Sequence, residues 1–101
     1  MTEFLKVADV ADVPPGSVKH IVLLGKHIAL SNVAGEFYAI DNFCIHRGGP
    51  LSEGWLDGDK LECPWHAWKF CVKTGHLTLD PKMGVATYEV KVDGAEVFIS
   101  A

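Results

Sequence analysis

Residues 18–40, V-K-H-I-V-L-L-G-K-H-I-A-L-S-N-V-A-G-E-F-Y-A-I, decide the fold. Three short runs rich in β-branched and aromatic residues are separated by segments that each contain a glycine. The runs and their glycines are 18–24, Gly25, 27–33, Gly35 and 36–40. Such runs favour strands, and a glycine between two of them favours a tight turn. The stretch therefore predicts a meander of antiparallel hairpins.

The rest of the chain continues this pattern. Near its end Y-E-V-K-V alternates cleanly, Asp93-Gly94 supplies a favoured two-residue turn, and E-V-F-I-S returns on the other side. Only residues 8–16, A-D-V-A-D-V-P-P-G, resemble a helical turn, and the two prolines end it quickly. We therefore predict an all-β fold, an antiparallel sandwich or barrel-like framework.

Composition limits the kind of protein that this chain can be. Its 101 residues, 49% hydrophobic and 22% charged, suit one compact domain spanning 1–101. The net charge of −4 gives no basic footprint for nucleic acid or for an anionic membrane surface. No apolar run approaches the roughly 20 residues of a membrane span, and the first residues lack the layout of a signal peptide. We expect a cytoplasmic monomer, in which the three cysteines serve metal binding better than disulfides.

The middle third of the chain, residues 41–84, departs from the strand pattern. It contains six glycines, three prolines and all three tryptophans. It also contains two mixed pairs of metal-ligating residues: Cys44 with His46, and Cys63 with His66. The composition predicts a smaller subdomain, inserted between framework strands, that presents these four side chains on loops.

The spacing within each pair limits the kinds of metal centre that the four residues could bind. In an extended segment Cys44 and His46 point to the same side, and a tight turn lets Cys63 and His66 converge in the same way. One tetrahedral zinc accepts two cysteines and two histidines, but its usual arms are one cysteine pair and one histidine pair. Mixed arms suit a centre with two irons, because each loop can give its cysteine to one iron and its histidine to the other. Zinc remains the alternative.

The motif C-I-H-R-G-G-P-L-S-E-G, followed sixteen residues after His46 by C-P-W-H, resembles the Rieske 2Fe-2S motif C-x-H…C-x-x-H. The flanking L-D-G-D-K-L-E-C-P-W-H-A-W-K-F is similar to the small Rieske ferredoxins of bacterial ring-hydroxylating dioxygenase systems. The resemblance implies the Rieske fold, with the cluster-binding subdomain at about 41–84. It also implies one 2Fe-2S cluster, with Cys44 and Cys63 on the inner iron and His46 and His66 on the outer, exposed iron.

This resemblance implies an electron carrier and not an enzyme. The expected donor is an NAD(P)H-dependent flavoprotein reductase, and the expected acceptor is a terminal ring-hydroxylating oxygenase. Three alternatives stay open at this point: the small Rieske-like subunit of assimilatory nitrite reductase, a zinc-stabilised interaction module, and a regulatory iron or redox sensor.

Further residues receive predicted roles around the cluster. Gly48 and Gly49 let the first loop approach the cluster, and Trp65 and Trp68 shield the second loop from water. By resemblance, Pro81 lies in a loop over the cluster. A docking patch for a redox partner would contain basic residues close to the cluster and acidic residues farther from it. These residues are Arg47, Lys69 and Lys82, then Glu53, Asp57 and Asp59.

The cysteine, aromatic and histidine residues that have no proposed role at the cluster are predicted to be structural. Cys71 would be a small core residue, and Trp55 and Phe43 would be packing residues. The remaining histidines, His20, His27 and His76, would lie on strands or on the surface.

The reduction potential is expected at the lower end of the Rieske range. Respiratory Rieske proteins, which resemble this chain at the ligands, add a second cysteine in each loop, and these two form a disulfide; they also have hydroxyl donors after the second histidine. The corresponding positions here are Gly49, Trp65, Trp68 and Phe70, which provide neither. Loss of hydrogen bonds to the cluster makes reduction harder.

Overall fold

The structure is a computed structural model, and it describes residues 3–43, 49–65 and 68–100. The described residues form nine strands and two short 3-10 turns, so the all-β prediction is confirmed. The strands are β1 (Phe4–Asp9), β2 (Val18–Leu23), β3 (Lys26–Val33), β4 (Glu36–Asp41), β5 (Trp55–Asp57), β6 (Lys60–Glu62), β7 (Lys69–Cys71), β8 (Thr87–Asp93) and β9 (Glu96–Ser100). The 3-10 turns are Val10–Asp12 and Leu51–Glu53. No helix in the described ranges is long and apolar enough to cross a membrane.

Six strands form the larger sheet, in the order β1-β9-β8-β4-β3-β2, with antiparallel pairing throughout. The sheet curls into a nearly closed barrel. The predicted meander is confirmed, because β2 pairs with β3 and β3 with β4. Its turns are Leu24-Gly25, with φ of 52° and 78°, and Ala34-Gly35, with φ of 52° and 96°. Positive φ at both central residues is the pattern of a type I′ turn, which matches the twist of a hairpin.

The last hairpin is confirmed, but its turn lies one residue later than predicted. Asp93 pairs with Glu96, so the turn residues are Gly94 and Ala95, and Gly94 has φ of 63°. A type II′ turn places glycine at the first central position in this way. The aspartate therefore serves as the last strand residue and not as part of the turn.

Strand β1 was not predicted from the sequence. Its residues, F-L-K-V-A-D, contain only one β-branched residue, Val7, and end in alanine and aspartate, which are depleted in strands. It forms because β9 offers a partner, and the pairing shifts register between Lys6 and Ala8. The helical pattern at 8–16 is realised only as the 3-10 turn Val10–Asp12, where the Asp9 backbone N–H donates to the Asp12 carboxylate at 3.0 Å.

The second sheet, β5-β6-β7, lies in the chain between β4 and β8. It packs on the outer face of the barrel, and the side chains of β3 alternate between two cores. Ile28 and Leu30 point into the barrel core, whereas Ala29 belongs to the core shared with the second sheet. In β4, Ala39 and Ile40 divide in the same way. Both strands are thus buried on two faces, which fixes the second sheet to the barrel.

Candidate metal centre

The second ligand loop is the connection between β6 and β7. Glu62 pairs with Lys69 at the ends of the two strands, and residues 63–68 form the loop beyond them. The Cys63 backbone N–H donates to the Trp68 carbonyl at 2.7 Å and closes the loop at its base. Cys63 therefore begins the connection between two paired strands, and the part of the predicted turn at residues 66 and 67 lies outside the described residues.

The first ligand loop comprises residues 44–49, of which the structure describes only Gly49. Phe43 and Pro50, on either side of it, form an isolated antiparallel bridge. Asn42 anchors the stem: its N–H donates to the His27 carbonyl at 3.0 Å, and its side-chain oxygen accepts from the Ser52 N–H at 2.8 Å. Asn42 is buried, so these bonds hold the stem rigidly against β3.

The two loops touch at Gly49. A Cβ atom at this position would lie 2.8 Å from Cys63 Sγ and 3.1 Å from the Trp65 indole. Only a glycine allows the first loop to approach the second so closely. The structure thus shows a close approach of Gly49 to the Cys63 thiol, while its predicted approach to the cluster stays a prediction.

Of the four predicted ligands, only Cys63 belongs to the described residues. It is buried, with 1% of its surface exposed, and it lies in the core shared by the two sheets. Cys44, His46 and His66 lie outside the described residues, as do Arg47 and Gly48. Within the described ranges, no group of three or more histidine, cysteine, aspartate or glutamate side chains could hold a metal.

The aromatic side chains near the loops differ from the prediction. Trp55 is 61% exposed, so it is not a packing residue, whereas Phe43 is 43% exposed and packs only against the ring of His27 among the described aromatic contacts. Trp55 lies on β5, an edge strand with no further strand among the described residues to cover it. Trp65 is also half exposed, whereas Trp68 packs against the shared core. Of the two predicted shields, Trp68 is therefore the more buried one.

Cys71 is half-buried at the end of β7, so its assignment to the core was wrong. Burial raises the pKa of the Cys71 thiol, but hydrogen bonds with the Thr74 side chain and with the Lys73 and Thr74 backbone lower it, and the net pKa lies below its usual value. The histidine predictions are confirmed: His20 is on β2, His27 is on β3 and His76 is exposed.

The charged residues around the second sheet are mostly paired. Lys60 and Asp59 form an ion pair at 2.6 Å, and this hydrogen bond lowers the pKa of Asp59 and raises that of Lys60. Lys69 lies 3.9 Å from the Glu62 carboxylate, a loose contact that leaves its charge partly compensated. Lys82 is exposed in the segment after β7. The predicted basic patch thus has one compensated member and one exposed member in the described part of the chain.

Sequence reasoning missed two features of the site. One is Asn42, whose amide fixes the loop stem and which stands in no recognisable motif. The other is a groove of about 550 Å³ beside the loops, between the edge of the barrel and Trp65. Its lining residues are His20, His27, Asn42, Phe43, Pro50, Ser52, Glu53 and Trp65. Both depend on contacts between segments that are distant in the sequence, which no local motif reveals.

These contacts fit a metal cluster held between two loops. Cys63 provides a buried thiol at the loop junction, and the glycine at position 49 keeps space beside its sulfur. Soft thiolate ligands in a buried, hydrogen-bonded setting are typical of iron-sulfur sites. The remaining donors in the motif, one cysteine and two histidines, are the types that complete such a site.

Comparison with known proteins agrees with this chemistry. The family model for the Rieske [2Fe-2S] domain matches residues 3–89. The ferredoxin subunit of the 3-phenylpropionate/cinnamic acid dioxygenase of Escherichia coli (strain K12) is 48% identical over 92 residues, which is 89% of this chain and 86% of that protein. The ferredoxin component of the naphthalene 1,2-dioxygenase system of Pseudomonas aeruginosa is 39% identical, over 98% of this chain and 97% of that protein.

A solved structure shows the same fold. It is a chain from the complex of reduced oxygenase and oxidized ferredoxin in carbazole 1,9a-dioxygenase, with a TM-score of 0.89 and 34% identity. The match covers 99% of this chain and 94% of that chain. The predicted fold and the predicted cofactor, one Rieske-type 2Fe-2S cluster, are therefore confirmed, and zinc is set aside. The chain belongs to the Rieske [2Fe-2S] domain family.

Proposed function

We propose that this protein is the ferredoxin component of an aromatic ring-hydroxylating dioxygenase system, and that it carries single electrons from an NAD(P)H-dependent flavoprotein reductase to the terminal oxygenase. Its relatives at 48% and 39% identity are named ferredoxin components of such systems, that is, electron carriers and not catalytic enzymes. The reductase and the direction of transfer follow from this role. We expect the protein to act as a monomer in the cytoplasm, without binding nucleic acid or a membrane.

Cys44 and Cys63 are the proposed ligands of the inner iron, and His46 and His66 are those of the outer iron. The cluster supplies a centre that accepts and releases one electron. The chain's own contribution is to hold it. Cys63 is fixed by its N–H bond to Trp68, and the stem that precedes Cys44 is fixed by the Asn42 bonds. Neutral imidazoles at the outer iron keep that end less charged than a thiolate would.

The observation that carries the proposal is the close approach of Gly49 in the first ligand segment to Cys63 in the second, with half-exposed rings nearby. Phe43 immediately precedes Cys44, and Trp65 immediately precedes His66. Exposed aromatic rings are common at the centre of protein interfaces. A partner that docks on these rings comes within a few residues of the proposed ligands, as electron transfer requires.

Stopped-flow spectroscopy with cluster-loaded protein tests the proposal. Reduced protein should be oxidised rapidly by a ring-hydroxylating terminal oxygenase, and oxidised protein should be reduced by its flavoprotein reductase with NADH or NADPH. Trp65→Ala should slow both steps, since it removes an exposed ring, while Trp55→Ala on β5 serves as the matched control. Rapid oxidation by an assimilatory nitrite reductase, with no reaction towards any oxygenase, would favour that alternative and contradict the proposal.

A further inference from the structure

Two histidines outside the proposed cluster ligands come together on the barrel. His20 lies on β2 and His27 on β3, and His20 Nε2 is 2.9 Å from His27 Nδ1. The rings are stacked, with centroids 5.1 Å apart and planes inclined by 22°. Both line the groove of about 550 Å³ beside the cluster loops. This pair has no part in the electron transfer proposed above.

Strand register explains why the two nitrogens meet. His20 pairs with Ala29, and His27 pairs with Val22, so the two histidines are diagonal neighbours on one face of an antiparallel pair. Long side chains at such positions are within reach of one another. The tight turn at Leu24-Gly25 fixes this register, so the backbone places the two side chains within reach of each other.

Other contacts hold His27 in place. Its ring lies against Phe43, with centroids 5.1 Å apart, and its carbonyl accepts the Asn42 N–H at 3.0 Å. His20 is the more exposed member and can adjust by rotating about its side-chain bonds. One ring is thus fixed and the other adaptable, which suits the capture of a ligand from solvent.

We propose that His20 and His27 form a surface chelate for a divalent transition-metal ion of the nickel and copper class, separate from the iron-sulfur cluster. Metal-nitrogen bonds to imidazole are about 2.0–2.1 Å long, and two nitrogens 2.9 Å apart then subtend an angle of about 90° at the metal. This angle is that of neighbouring ligands in square-planar or tetragonal sites, which nickel(II) and copper(II) prefer. Tetrahedral zinc would need about 3.3 Å between the nitrogens.

Metal binding would replace the hydrogen bond between His20 and His27, and no proton needs to be lost from the pair. Without metal, the 2.9 Å contact requires one N–H and one lone pair. When the ion binds through both nitrogens, the donating ring carries its proton on its other nitrogen instead, so both imidazoles stay neutral. Water completes the coordination, since no third histidine, cysteine or carboxylate in the described ranges joins the pair. The Glu53 carboxylate in the same groove and the net charge of −4 favour a cation.

Calorimetric titration of the untagged, cluster-loaded full chain with Ni²⁺ tests the site, because Ni²⁺ does not oxidise thiolates. We expect one Ni²⁺ per chain, at least tenfold weaker binding in His20→Ala and in His27→Ala, and no further loss in the double variant, since either change destroys the chelate. His76→Ala, at an exposed histidine elsewhere, is the matched control and should bind like the wild type. Mg²⁺ should not bind.

Two further measurements distinguish chelation by the histidine pair from misfolding of a variant and from exchange of cluster iron. His20→Gln keeps a polar partner for His27 but removes the imidazole, so it should fold normally and lose Ni²⁺ binding. The visible absorbance of the cluster should stay unchanged throughout the titration, which shows that iron is not displaced. The proposal is overturned by the absence of binding up to millimolar Ni²⁺, by binding that survives both alanine substitutions, or by binding that appears only as the cluster is lost.

Discussion

Gly49→Ala is the most direct test of how the two ligand loops fit together. The new methyl group would lie 2.8 Å from Cys63 Sγ and 3.1 Å from the Trp65 indole. To reach ordinary contact at about 3.5 Å, the methyl group and the sulfur must separate by roughly 0.7 Å. Metal-binding side chains must be held to within about 0.5 Å of their working positions. The substitution therefore moves a proposed ligand beyond its tolerance.

The energetic cost follows from overpacking. Insertion of one methyl group into a packed site typically costs about 1–3 kcal/mol. If the cost falls on the cluster-bound state, retention of the cluster weakens about 5-fold to 150-fold, since 1.4 kcal/mol is a factor of ten. The atoms nearest to a Cβ at Gly49 belong to Cys63 and Trp65, which are not part of the barrel core, so the apoprotein should still form the nine strands of the described residues.

Iron and acid-labile sulfide analysis, together with the rate of absorbance loss in a chelator, measures this effect. The double variant Gly49→Ala/Trp65→Leu tells which neighbour matters. It should restore little if the Cys63 sulfur is displaced, and much if the indole alone is crowded. A Gly49→Ala protein that holds two irons and two sulfides and loses them at the wild-type rate would refute the close contact between the loops.

Four other predictions concern the same molecule. His66→Ala should abolish the intact cluster while Cys71→Ser keeps it, as measured by iron content; the reverse result would overturn the ligand assignment. Electron transfer with the reductase should slow or quicken with ionic strength, since exposed charges such as Lys82 are screened over about 10 Å at 0.1 M salt, and a rate that is flat in salt would argue against charge steering. Film voltammetry should give a midpoint potential near the lower end of the Rieske range of about −150 to +300 mV, and a value above about +100 mV would contradict this. Finally, burial and a hydrogen bond to Asp41 raise the pKa of Tyr88 to about 12. Because the unfolded value is about 10, the stabilisation is complete below about pH 10 and is lost as the pH rises towards 12; urea unfolding should show a shallower alkaline loss in Tyr88→Phe.

The hairpins could be predicted because their information is local. Alternating β-branched runs and turn residues specify β2, β3 and β4 within 24 consecutive residues, Val18 to Asp41. Strand β1 depends instead on β9, about 90 residues away, and its own sequence is a poor strand former. The turn after Asp93 shows a smaller version of this effect, since the register set by β9 shifts the turn by one residue. Long-range pairing decided what local propensity could not.

Some features of the candidate site could likewise be predicted from local sequence, and others could not. Ligand identity could be proposed from four residues because the coordination chemistry restricts their types and spacing. The exposure of Trp55 could not be predicted, because a tryptophan on an edge strand and a tryptophan in a core have the same local sequence pattern. Asn42 and the His20–His27 pair also have no motif. Their positions depend on which strands are neighbours, and that follows only from the assembled barrel.

The double burial of β3 and β4 links these observations. A sheet with one face in water tolerates small shifts of its loops, but a strand packed on both faces cannot move without disturbing two cores. Ala29 and Ile40 pack against the second sheet, while Ile28 and Leu30 fill the barrel. The stem at Asn42 follows β4 directly, so the stem shares this rigidity. Cys63 lies in the same shared core. Asn42, at the stem of the first loop, and Cys63, at the start of the second, are therefore held by one packed layer before any cluster binds, which is the condition for a site built without large rearrangement.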